Sequence, residues 1–292
     1  MRVVVLGGTG QIGRALVPLL RRSHDVIAPN REELDLTRPD VQERIGELTP
    51  EVVVNAAAWT DVDAAERDEP GCFAVNAMGA GEVARACARI GAPLVHVSTD
   101  FVFSGELGRA GREEDDVGPL NAYGRAKLAG EREIEGSGAV ALILRTSWVY
   151  SLDRPSFVSR TIERARGAEE LVAPEDQIGS PTSADALARA LAELVSSLGA
   201  SPDRARELAG GYHLPGSGAA SRYELTRAIL AALDGSPEIR ATRVRAVPAA
   251  SFVTTAPRPR ATALDCTKAA RILGLALPPW QEALARALSK RS

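Results

Sequence analysis

Tyr123 and Lys127 stand four residues apart, so on a helix they lie about 40° apart around the axis and project from one face toward one cleft. An ammonium beside a phenol lowers its pKa from an ordinary value near ~10 and makes it a proton donor and acceptor near neutrality. Upstream, Ser98 and Thr99 follow the apolar run 93–97, which reads as a buried strand and puts hydroxyls at its carboxyl end. Near the N-terminus, Gly7, Gly10 and Gly13 form GxxGxxG directly after the β-branched run 3–6 and before a helical pattern. Such spacing lets backbone approach a pyrophosphate and aims helix N–H groups at it, so a dinucleotide is the natural occupant. A lone YxxxK is compatible with a solvated helix face, and a lone glycine turn with close packing. Glycine loop, strand-end hydroxyl and YxxxK in that order are the parts of a carbonyl reductase.

The elements that must carry these groups alternate. Strands are expected at 3–6, 25–28, 51–54, 93–97 and 140–144, with helices between them, including 73–90 and 121–135. That βαβ alternation predicts a Rossmann-like, doubly wound parallel sheet with helices on both faces. After Tyr150 the pattern becomes irregular: Pro155, Pro174 and Pro181 punctuate loops, a helix is expected at 183–198 and a further strand at 210–214. Helices at 222–233 and from Gln281, with an extended basic stretch at 242–247, complete the chain. The expected division is a dinucleotide-binding domain of residues 1–150 plus about 180–214, and a smaller substrate domain of separated segments, 151–179 and about 215–292.

Composition excludes several classes. The 292 residues suffice for a large core. A net charge of −3 leaves no basic excess to track a phosphate backbone, so no nucleic-acid partner is expected. The N-terminal apolar run is interrupted by glycines too soon for a signal peptide or a membrane span, so a cytoplasmic address and no membrane partner are expected. Cys72, Cys87 and Cys266 show no metal-ligand spacing and are expected as reduced, mostly buried thiols. His24, His96 and His213 are widely separated and read as structural. No metal is expected, since neither the cysteines nor the histidines show metal-ligand spacing.

The cofactor follows from the second strand, which ends Ala28-Pro29-Asn30-Arg31 with no acid at its tip. Without a carboxylate for the ribose 2′-OH, and with Arg31 able to face a 2′-phosphate, NADPH is favoured, with NADH as the alternative because Glu32 and Glu33 adjoin.

Longer strings narrow the reading: Val54-Asn55-Ala56-Ala57-Ala58-Trp59-Thr60, Val75-Asn76-Ala77, Ser98-Thr99-Asp100-Phe101-Val102-Phe103, Tyr123-Gly124, Arg145-Thr146-Ser147-Trp148-Val149-Tyr150 and Asp176-Gln177-Ile178-Gly179-Ser180-Pro181-Thr182. With Arg258-Pro259 they span nearly the whole chain. They resemble the dTDP-4-dehydrorhamnose reductase family, within the extended short-chain dehydrogenase/reductase superfamily. The resemblance implies NADPH-dependent reduction of the C4 ketone of a dTDP-linked 4-keto-6-deoxysugar. It implies Tyr123 as proton donor, Lys127 on the nicotinamide ribose, and Thr99, less so Ser98, on the substrate oxygen. Gly7, Gly10, Gln11, Ile12 and Gly13 match the pyrophosphate loop, Asp35 and Leu36 the adenine side, and Ala56, Ala57, Ala58 and Thr60 further cofactor contacts.

On the substrate side, Trp148 matches a residue beside the sugar, with core packing as the alternative. Arg258 matches a diphosphate ligand, since guanidinium forks fit phosphate oxygens. Phe101 stands where the family often has tyrosine, Ser156-Phe157 replaces a common Asn-Phe, and Thr262 replaces a common serine. These departures spare Thr99, Tyr123 and Lys127 and leave open a 4-ketoreductase for another dTDP-deoxysugar. Outside that chemistry stand an epimerase or dehydratase of the same superfamily, and a non-catalytic NADP-binding subunit. A monomer or homodimer is expected.

Overall fold

The computed structural model describes residues 1–199 and 202–289, so the last three residues of the tail lie outside it. The first half runs β1 (Arg2–Leu6), α1 (Gln11–Leu20), β2 (Asp25–Ile27), α2 (Val41–Glu47), β3 (Val52–Asn55), α3 (Val62–Arg67), α4 (Glu69–Phe73), a π-helical segment (Ala74–Gly79), α5 (Ala80–Ile90), β4 (Leu94–Thr99), a 3-10 turn (Asp100–Val102), α6 (Ala122–Glu135) and β5 (Ala141–Thr146). The second half runs β6 (Val149–Tyr150), α7 (Phe157–Gly167), β7 (Glu170–Pro174), β8 (Ile178–Gly179), β9 (Thr182–Ser183), α8 (Ala184–Leu198), α9 (Pro202–Glu207), β10 (Gly210–His213), β11 (Ala220–Ser221), α10 (Arg222–Ala232), β12 (Arg243–Val247), α11 (Thr267–Leu273) and α12 (Trp280–Ser289).

The central sheet has the order β10-β5-β4-β3-β1-β2 with every neighbour parallel. Its strands β1, β3 and β5 carry continuous Val, Ile and Leu runs because both faces are covered. On one face α1 and α8 pack through Leu16, Leu20, Leu187, Leu191 and Leu194 against Val3, Val5 and Leu144. On the other, α2 and α5 enclose Val4, Val53 and Leu94 with Ile45, Val83 and Cys87. The strand order reverses between β1 and β3, so the carboxyl ends of β1, β3 and β4 open onto one crevice, where such sheets bind ligands.

The remaining elements gather round a second core of Tyr150, Val158, Ile162, Leu225, Ile229, Trp280 and Leu284. Here β7 and β12 pair in parallel, while β6 with β9 and β8 with β11 make two-residue ladders that tie this core to the sheet. The two-residue strands β6, β8, β9 and β11 lie below the reach of periodicity; these and the five-residue β7 are not among the expected strands.

Two boundaries differ in ways that matter. Strand β4 extends to Thr99 rather than stopping at Val97, so Ser98 and Thr99 sit inside the strand and face opposite sides. The helix expected from Phe73 begins at Glu69, where Asp68 caps Gly71 N and the early proline is tolerated, and it passes through a π-helical segment before α5. At that segment α6 crosses so closely that a Cβ on Gly130 would overlap the carbonyl of Asn76. Such segments concentrate at functional sites.

Candidate active site

The start of α6 is clamped onto the turn that follows β4. Asn121 caps the helix by accepting from Gly124 N at 2.8 Å, and its Nδ2 donates to the Pro257 carbonyl. Gly124 must lack a side chain because a Cβ would overlap the carbonyl of Phe101. The clamp brings the Tyr123 hydroxyl toward that of Thr99 and sets the Phe101 ring edge-on to the Tyr123 ring at 5.8 Å. Thr99 Oγ1 accepts from Phe101 N and donates to Asp100 Oδ1 at 3.1 Å. Asp100 is buried, its Oδ2 also accepting from Ser147 Oγ and Thr262 Oγ1.

Lys127 lies one turn below Tyr123 and is almost fully enclosed. Its ammonium donates to the Val97 carbonyl at 2.7 Å and to His96 Nε2 at 3.0 Å. Burial pushes Lys127 down to about 8, against the opposing field of Glu131. The same ammonium, with burial, holds His96 well below its ordinary value and therefore neutral. The Tyr123 phenol does not move as expected: burial drives its pKa up, and Lys127, aimed at β4, does not offset this. A phenol in that environment stays protonated at neutral pH, which suits a proton donor.

Ser98 is separated from this group. Facing the other side of β4, its hydroxyl donates to Glu131, which also accepts a two-bonded fork from Arg145. The structure therefore gives Ser98 to an internal ion pair rather than to the cleft, because adjacent strand residues alternate faces.

The glycine loop abuts β3. Gly7, at φ +79°, packs so tightly that a Cβ would stand 2.5 Å from Ala57 N, and Gly13 meets the backbone of Gly7 and Gly8 equally closely. Helix α1, with Gln11, Ile12 and Gly13 in its first turn, has neither a side-chain cap at Gly10 nor an acidic residue to occupy its N–H groups. The buried Gln11 Oε1 and Asn55 Nδ2 have no partner. A cradle closed by glycines, an uncovered helix N-terminus and orphaned polar atoms fit a dinucleotide pyrophosphate.

At the end of β2, Asn30 Oδ1 accepts from the backbone of Glu32 and Glu33, and the exposed Arg31 reaches Asp35 at 3.4 Å. Asp35 is held below the usual carboxylate range first by the backbone N–H of Thr37. Leu36 is buried in the sheet core. The segment with Ala56, Ala57 and Ala58 is partly buried and ends at the exposed Thr60; Asn76 fixes it by pairing with both backbone groups of Trp59 at 2.9 Å.

Toward the second core, Trp148 has a left-handed backbone at φ +46°. Its indole is covered by the Arg222 guanidinium, 3.4 Å from the ring centroid, and pressed by Gly179. The ring face expected to meet a sugar is thus stacked on a cation. Arg258 pairs with Asp63 at 2.8 Å, and Asp63 also accepts from Ala256 N.

The family model described as RmlD substrate binding domain matches residues 1–292. The dTDP-4-dehydrorhamnose reductase of Sinorhizobium fredii is 37% identical over 289 residues, covering 98% of this chain and 96% of that protein. That of Mycobacterium tuberculosis is 39% identical over 295 residues, covering 99% and 92%. Among solved structures, the Bacillus anthracis dTDP-4-dehydrorhamnose reductase in complex with NADP superposes with a TM-score of 0.88 at 31% identity, covering 99% of each chain.

The chain belongs to the dTDP-4-dehydrorhamnose reductase family.

For a member of that family, five residues with contacts to the site carry no role that the sequence alone assigns. His96 and the Val97 carbonyl receive Lys127, Asp100 receives Thr99, Asn76 holds the alanine segment, and Arg222 covers Trp148. Asn76 and Asp100 stand inside quoted family strings, so their signal was present without a role attached. His96 looks in sequence like any buried strand histidine, and Arg222 like a first-turn surface arginine. A cavity of about 760 Å³ lined by Leu230, Ile239, Arg243 and Trp280 includes none of the site residues. Among the described residues no group of three or more His, Cys, Asp and Glu side chains is placed to hold a metal ion, and no helix is long and apolar enough to cross a membrane.

Proposed function

We propose that this chain reduces the C4 ketone of dTDP-4-dehydro-L-rhamnose to dTDP-L-rhamnose with NADPH. The observation that carries the proposal is the juxtaposition of Thr99 and Tyr123 at the crevice onto which the glycine cradle also opens. Residues 1–150 with about 180–214 hold the cofactor in this reading, and 151–179 with 215–292 hold the nucleotide sugar.

Gly7, Gly10, Gln11, Ile12 and Gly13 would hold the pyrophosphate of NADPH, whose reduced nicotinamide would supply a hydride to the carbonyl carbon. The residues of the chain handle the oxygen. Thr99 donates its hydroxyl hydrogen to Asp100, which leaves its oxygen lone pairs to face the cleft as an acceptor. As negative charge develops on the substrate oxygen, the Tyr123 O–H delivers its proton there. Lys127, one helical turn from Tyr123 and held by the Val97 carbonyl and His96, keeps in this reading the role of contacting the nicotinamide ribose. Arg31 faces the 2′ side of the adenine ribose, and Asp35, Leu36, Ala56, Ala57, Ala58 and Thr60 line the rest of the cofactor path.

The test is oxidation of NADPH, and separately NADH, followed by nicotinamide absorbance with dTDP-4-dehydro-L-rhamnose, the product being identified by NMR. Formation of dTDP-L-rhamnose with NADPH consumed supports the proposal. Binding of NADPH without oxidation on this ketosugar refutes it.

A further inference from the structure

We infer that Arg222 is the principal anion ligand of the substrate cleft and takes the diphosphate of the nucleotide sugar, an inference that rests on the substrate class proposed above. Its position is built by local pairing. Ser221 caps α10 in a capping box with Glu224, β11 pairs with β8, and Arg222 N donates to the Gln177 carbonyl at 3.0 Å. This fixes the first residue of α10 beside the segment that packs on Trp148.

The guanidinium is held between two rings, 3.4 Å from the Trp148 centroid and 4.4 Å from that of Phe157. Stacking uses the two faces of the planar group and leaves its N–H edges for other partners. Among the described residues those donors make no hydrogen bond, and Arg222 has no ion-pair partner. Burial pushes its pKa down to about 9, and Arg258 acts in the same direction against the pull of Asp100, yet the group remains charged at neutral pH. Asp100 itself is occupied by the hydroxyls of Ser147, Thr262 and Thr99. A half-buried cation whose donors meet no protein acceptor is set to take an acceptor from a ligand in the cleft.

The contrast with Arg258 decides between the two arginines. Arg258 is already neutralised by Asp63, which also ties down its loop through Ala256 N, whereas Arg222 carries a charge that the protein does not match. The left-handed backbone of Trp148, costly for a bulky residue, is the means by which the indole is turned under the guanidinium. A planar cation with edge donors free, near a second guanidinium, matches paired phosphate groups.

The test titrates thymidine, dTMP and dTDP into the NADPH-loaded protein by calorimetry, in the parent and in Arg222→Gln and Arg222→Lys. The expected result is a loss of dTDP affinity of roughly 10- to 100-fold in Arg222→Gln, with thymidine and NADPH binding retained. Arg222→Lys, which keeps charge and fold but loses the planar fork, should fall between. Equal dTDP affinity in parent and both variants overturns the inference, as does a parallel loss of thymidine and dTDP, which would make Arg222 a packing residue only. A parent that binds NADPH but not dTDP overturns the nucleotide-sugar reading itself and the inference with it.

Discussion

Replacing Glu131 by Gln should cost the fold several kilocalories and shift the pH range of activity, because one buried carboxylate serves two purposes. Its side chain is 3% exposed and that of Arg145 is 14% exposed, with Arg145 donating through Nε at 3.0 Å and through its terminal nitrogen at 2.7 Å. The amide of Gln turns a donor toward one of those donors and leaves the guanidinium buried without a counter-charge. Breaking a buried pair in this way costs about 3–5 kcal/mol. With an unfolding entropy of roughly 2 cal/mol/K per residue, that corresponds to a fall in Tm of about 5–8 °C for a chain of this length. Glu131 also holds the Lys127 pKa up against burial, so the alkaline limb of kcat/KM should move toward acid in the variant. Calorimetric melting and a pH profile with saturating cofactor read the two effects, and Glu131→Gln combined with Arg145→Met should recover part of the lost stability. An unchanged Tm, or a double variant that melts lower than the single by the full cost again, would refute the pairing argument; an unmoved limb would refute the coupling to Lys127.

Tyr123→Phe should lower turnover by about 10²- to 10⁴-fold while leaving NADPH affinity intact, and near-normal turnover would remove Tyr123 from the proton step. In the parent, Lys127 is charged below its pKa of about 8 and neutral above it, so kcat/KM should decline as pH rises through about 8; Lys127→Met should abolish that limb and weaken NADPH binding. Gly7→Ala should fold but bind NADPH poorly, since a Cβ 2.5 Å from Ala57 N displaces the cradle at a positive-φ position. Titration of fluorescence on NADPH binding measures this, and parent-like affinity would show that the cradle does not touch the cofactor.

The alternation that built the sheet was readable because β1, β3 and β5 are buried on both faces and therefore run as unbroken apolar segments, each followed by a helical repeat. The glycine loop was readable for a related reason: a backbone that must pass against Ala56 and Ala57 tolerates no Cβ, and that demand is written directly in residue type. The second half was harder. Its strands β6, β8, β9 and β11 have two residues each, too few to show a period, and their pairing depends on chain segments far apart in sequence.

The sequence by itself determined the class of sheet, the dinucleotide loop, the tyrosine and lysine on one helix face and the family to which the chain belongs, since local spacing and short strings carry all of these. Tertiary structure alone decided how each side chain is used. Ser98 and Thr99 are neighbours of similar chemistry, and only the strand register sends one to Glu131 and the other to Tyr123. Arg258 and Arg222 are equally basic in sequence, and only the packing of α3 and α10 neutralises the first and leaves the second charged between two rings. Charge, burial and hydrogen-bond partners are properties of the space around a residue, and that space is assembled from segments whose separation along the chain leaves no local trace.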